Sequence, residues 1–83
     1  MDLDAHCDQL TTAAVVTQKV REGATLEECT KAAKEFNRRR PPKEDGEKYT
    51  WGEKTSHILA HIKWLEERSI QFQQTGDYYK VIE

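Results

Sequence analysis

His57 and His61 stand four residues apart, the spacing that puts two imidazoles on one side of a helix and lets them share a metal ion. Glu53 lies one turn before His57, and Cys7 and Cys29 are the only thiols. A closed structural zinc site needs four ligands, and only the two histidines are supplied at a defined spacing. His57 and His61 are therefore weak metal candidates, and no metal or other cofactor is expected. The cysteines form no CxxC pair, so neither a redox dithiol nor a zinc ribbon is written locally. No Ser or Cys sits in a turn beside a recognisable base, and the four glycines are isolated, so no glycine-rich loop is available to cradle a phosphate. The acid pairs Glu27-Glu28 and Glu66-Glu67 read as solvated helix faces. An acid–base pair would need burial that this composition barely provides. The chain is expected not to be an enzyme.

The run His57-Ile58-Leu59-Ala60-His61 resembles the histidine spacing of the zinc-protease HExxH motif over five residues, but Ile58 occupies the place of the catalytic glutamate, so the protease chemistry does not carry over. Lys34, Arg38, Arg39, Arg40 and Lys43 form the one basic cluster, with Lys31 a turn before Lys34. Guanidinium forks suit phosphates and carboxylates alike. Against a phosphate backbone, Tyr49 or Trp51 would stack on a base. The surrounding charge resists that use: the chain carries 13 basic and 15 acidic residues, and Glu44, Asp45 and Glu47 follow the cluster directly. Nor does Thr25 through Phe36 open a helix-turn-helix, because Pro41-Pro42 falls where a recognition helix would have to begin. A plainer use of these cations is to complement the dipole at a helix C-terminus.

Tyr49, Trp51, Trp64, Tyr78 and Tyr79 exceed what the inner stripes require. Trp51 falls in line with the apolar stripe of the third helix and is expected in the core. Trp64 lies off that stripe, packed on the C-terminal tail or exposed. Trp, Tyr and Arg are the residue types enriched at binding hot spots, so Trp64, Arg68, His57 and His61 make the leading candidate patch, unless Tyr78 or Tyr79 covers it, and the expected partner-binding residues are Arg38, Arg39, Arg40, Trp64, Arg68, Tyr78 and Tyr79.

These side chains must be positioned by a small scaffold. An 83-residue chain that is 36% hydrophobic and 34% charged has room for one compact core and little for an enclosed active site. Leu3, Cys7, Leu10, Ala14 and Thr17 recur at helical steps, with Lys19 and Arg21 near the end and Gly23 as stop, which predicts a helix over about 3–22. Thr25-Leu26-Glu27-Glu28 has capping-box spacing, and Leu26, Cys29, Ala33 and Phe36 continue a helical stripe to Pro41, predicting a helix over about 25–39. Residues 40–50 hold both prolines and read as a solvated loop. Thr50-Trp51-Gly52-Glu53 repeats the capping-box spacing, and Ile58, Ile62, Leu65, Ser69 and Phe72 predict a third helix over about 51–74, closed by Gly76. Residues 77–83 favour extended structure but have no evident strand to pair with. The expected fold is all-α: a single-domain three-helix bundle with an extended C-terminal tail.

The chain opens without a signal-peptide pattern and has no apolar run long enough to span a membrane, so a cytoplasmic, reducing location and no membrane partner are expected. Size, mild acidity and the lack of catalytic motifs match the style of phage and plasmid accessory proteins. The leading expectation is a non-enzymatic protein-binding module, a regulator or inhibitor that occludes or bridges a macromolecular partner. A small DNA- or RNA-associated regulator using the basic cluster comes second, and a zinc-stabilised helical domain third.

Overall fold

The computed structural model describes residues 11–82. Three helices, α1 (Thr12–Glu22), α2 (Leu26–Arg39) and α3 (Thr55–Glu66), are joined by a three-stranded antiparallel sheet of β1 (Ala24–Thr25), β2 (Phe72–Thr75) and β3 (Tyr78–Val81) in the order β1-β3-β2. The molecule is thus mixed α/β, and the all-α bundle read from apolar spacing is corrected. The part of the first predicted helix over residues 3–10 lies outside the described residues, as does Cys7.

Local chemistry accounts for the first two helices. The Thr11 hydroxyl accepts from the Ala14 N–H at 3.1 Å and caps α1. Gly23, at φ 102°, ends it by donating its N–H to the Lys19 carbonyl. Thr25 and Glu28 form a reciprocal capping box: Glu28 N–H to the Thr25 hydroxyl at 3.1 Å, Thr25 N–H to the Glu28 carboxylate at 3.0 Å. Those bonds, the backbone one foremost, hold the Glu28 carboxyl below its ordinary pKa.

The third helix differs from its prediction at both ends. Thr50-Trp51-Gly52-Glu53 is a turn, with the Glu53 N–H bonded to the Thr50 carbonyl at 3.3 Å and Gly52 at φ 89°. A Cβ on Gly52 would meet that of Ala33 at 2.8 Å, so only glycine fits where this turn crosses α2. α3 begins at Thr55 instead, without a side-chain cap. It stops at Ser69, which sits at φ 70° while Ile70 N–H reaches the Leu65 carbonyl and Ser69 N–H the Glu66 carbonyl. This is the Schellman pattern with serine in the left-handed position that glycine usually takes. Past that stop the chain is free to extend. Gly76, at φ 60°, opens a two-residue Gly76-Asp77 turn that pairs Thr75 with Tyr78 and Phe72 with Val81. The supposed tail is therefore the inner strand of a hairpin, and the missing partner strand is the segment assigned to the end of the third helix.

One core joins every element. Val16 and Val20 of α1, Cys29 and Ala33 of α2, Ile58, Ile62 and Leu65 of α3, Ala24 of β1 and Tyr79 and Val81 of β3 bury against one another. β3 packs on α1, and α2 packs on both other helices.

Candidate functional site

Along one flank of α3 runs a ladder of rings. Trp51, at the mouth of the loop, stacks on His57 with centroids 6.3 Å apart and meets His61 edge-on at 5.4 Å. His61 stacks on Trp64 at 5.6 Å, and the Arg68 guanidinium lies over the Trp64 ring at 3.7 Å. Helical geometry sets this up, since 57, 61, 64 and 68 are separated by steps of three and four. Trp51 is 37% exposed, not the core residue its place in the stripe suggested, because the helix on which that alignment rested begins four residues later. Trp64 is half-buried and Arg68 exposed, its Nη1 also donating to the Trp64 carbonyl at 3.0 Å.

Hydrogen bonds hold both histidines in place. The Thr17 hydroxyl lies 2.9 Å from the Ala13 carbonyl and 2.8 Å from His61 Nε2, which ties His61 to α1. His57 Nδ1 accepts from the Gly52 N–H at 2.9 Å and is unprotonated there. One nitrogen of each ring is thus committed to holding helix and loop in place. Among the described residues, no three His, Cys, Asp or Glu side chains gather as a metal site.

The basic cluster is dispersed by its neighbours. Arg38 and Arg39 share the Glu35 carboxylate at 2.8–2.9 Å, on an exposed face. Arg40 turns the other way, with its guanidinium 3.5 Å above the Tyr49 ring and 5.6 Å from that of Phe36, and Nη1 3.3 Å from the Thr12 hydroxyl. It fastens the loop to the helices. Tyr79 is buried in the core and meets Phe72 edge-on. Half-buried Tyr78 covers Gly23, whose Cβ would fall 2.1 Å from the phenol oxygen. Of the sequence-predicted residues, Trp64 and Arg68 come together with His57 and His61, Arg38 and Arg39 meet at Glu35, and both tyrosines serve the hairpin's packing.

Asn37 is the residue that sequence reasoning missed. Its side-chain oxygen accepts from the Thr12 hydroxyl, and its amide donates to the Trp51 carbonyl at 3.0 Å and to Glu53 at 2.9 Å. This buried amide ties the start of α1 and the end of α2 to the turn that carries Trp51. Its position four residues after Ala33 continues the inner stripe of α2 one residue beyond Phe36.

No protein-family model, curated protein or solved structure matches this chain. Among the described residues no helix is long and apolar enough to cross a membrane.

Proposed function

We propose that this is a non-enzymatic protein-binding module that acts by occluding or bridging an acidic protein partner, in the manner of a regulator or inhibitor. The observation that carries the reading is the pre-formed ladder, in which Arg68 is held flat over Trp64 while Trp64 rests on His61. Tryptophan and arginine fixed before the encounter lose little conformational freedom on binding, which favours affinity from a small patch. Trp64 serves as the anchor and Arg68 as the carboxylate-facing group. The engagement of Arg38 and Arg39 with Glu35, and of Arg40 with Tyr49, favours this surface over a phosphate-binding use of the cluster. A reducing, cytoplasmic setting suits the buried free thiol of Cys29.

Affinity capture with tagged protein, repeated after nuclease treatment, tests the reading. A nuclease-resistant partner whose binding weakens at least tenfold with Trp64→Ala, in a variant that keeps its helical spectrum, is the expected result. Capture that disappears with nuclease and ignores Trp64 would transfer the function to nucleic acid.

A further inference from the structure

Among the described residues the hairpin leaves one strand edge open. Ile82 N–H bonds to the Gln71 carbonyl at 2.8 Å, and antiparallel pairs alternate between bonded and non-bonded. From the register Phe72↔Val81 and Gln74↔Tyr79 it follows that the main-chain N–H and C=O of Phe72 and Gln74 face away from β3. Among the described residues nothing bonds to them. Such an edge is commonly blunted by charge, proline or a bulge, yet Phe72-Gln73-Gln74-Thr75 contains no charged residue and no proline. Beside it lies a shallow groove of about 480 Å³ lined by Glu66, Ser69, Ile70, Gln71, Phe72 and Ile82, with Ile82 55% exposed.

We infer that this edge accepts a short extended peptide segment of another protein by strand addition, with one apolar side chain in the groove and a lysine or arginine two residues away, on the same face, against Glu66. Phe72 and Gln74 supply two donors and two acceptors at the two-residue repeat that only another strand matches. Four residues span only about 13 Å, a contact line too short by itself to bury the roughly 800 Å² per partner of a stable dimer, so a peptide suits the edge better than a second copy of this chain. Glu66 makes no ion pair among the described residues, which sets the charge of the guest. This surface is separate from the Trp64 ladder, and its failure leaves that reading standing.

The probe is an acetylated, amidated heptapeptide of threonine with lysine, valine and lysine at its second, fourth and sixth positions, which share one face, titrated into labelled full-length protein. It is expected to bind with Kd below about 1 mM and to slow amide exchange at Phe72 and Gln74. Backbone N-methylation of the peptide, or glutamate in place of its lysines, should weaken binding at least tenfold, and Glu66→Gln should narrow the lysine-over-glutamate preference. Gln74→Pro removes an outward donor without breaking a main-chain bond of the hairpin, losing besides it only the exposed bond from Gln74 Nε2 to the Gly76 carbonyl, and should abolish binding while Trp64→Ala leaves it intact. Four results would each overturn the inference: no binding by the lysine peptide, binding that leaves both amides unaffected, slow exchange of both amides in the free monomer, or their protection by concentration-dependent dimerisation.

Discussion

Asn37 has both donor protons and its carbonyl oxygen engaged, and each bond leads to a different segment. Truncating it leaves the Thr12 hydroxyl, the Trp51 carbonyl and Glu53 without that partner in a largely buried setting. Asn37→Ala should therefore lower stability by about 2–3 kcal/mol, and in a domain of this size each kcal/mol moves Tm by roughly 4–8 °C. Denaturant titration measures the loss, and a change of only a few tenths would place Asn37 outside the network. Cys29 makes a second residue-scale statement. Burial, aided by the Glu28 charge, raises its thiol from 9.0 to about 11. Above pH 9 the unfolded chain loses a proton that the folded state keeps, so this group's contribution is fully present below that pH and declines as pH rises toward 11. Stability curves of the protein and of Cys29→Ala should converge through that window. Parallel curves would show that the thiol titrates normally.

At the scale of elements, what could be read from sequence was what depends on a few adjacent side chains. The Thr25–Glu28 capping box needs only a hydroxyl and a carboxylate three residues apart, and the Gly23 stop only a residue without Cβ. The ends of α3 were hidden for the opposite reason. Thr50 and Glu53 have capping-box spacing, but Glu53 goes to Asn37, a partner distant in sequence. Ser69 and Phe72 continue an apolar rhythm although the chain has already left the helix at Ser69, because a serine in the left-handed region carries no compositional mark. That conformation costs an L-residue about 1 kcal/mol. Ser69→Gly should accordingly raise stability by a few tenths to 1 kcal/mol, and a decrease in denaturation midpoint would contradict the assigned helix stop. Gly52→Ala should do the reverse, losing more than about 1 kcal/mol through both its positive φ and the approach of Ala33. The ladder was legible except at one end for similar reasons: His57, His61, Trp64 and Arg68 share a helix face, whereas Trp51 reaches it by a turn whose placement depends on Asn37.

Across the whole molecule, the sheet is part of the core. Tyr79 and Val81 lie on the inner face of β3 against the same cluster as Val16, Ile58 and Leu65, and Ala24 joins β1 to it directly after α1. No element in such an arrangement has a private core to keep it folded alone, so the chain should unfold as one unit. Leu65→Ala, fully buried on α3, should cost about 2–5 kcal/mol. Tyr79→Ala tests the claim from the other side, because it empties the hairpin's share of the core without touching a helix. Helical circular dichroism and tryptophan fluorescence, both reporting on parts distant in sequence from Tyr79, should then melt together at a temperature lowered by roughly 10 °C or more, given a loss of about 3 kcal/mol for an aromatic truncation. A variant whose helices melt at the original temperature after the hairpin amides have opened would mean that β2 and β3 form an independent appendage. The open edge of β2 would then belong to a mobile hairpin, whereas coincident melting ties its stability to that of the three helices.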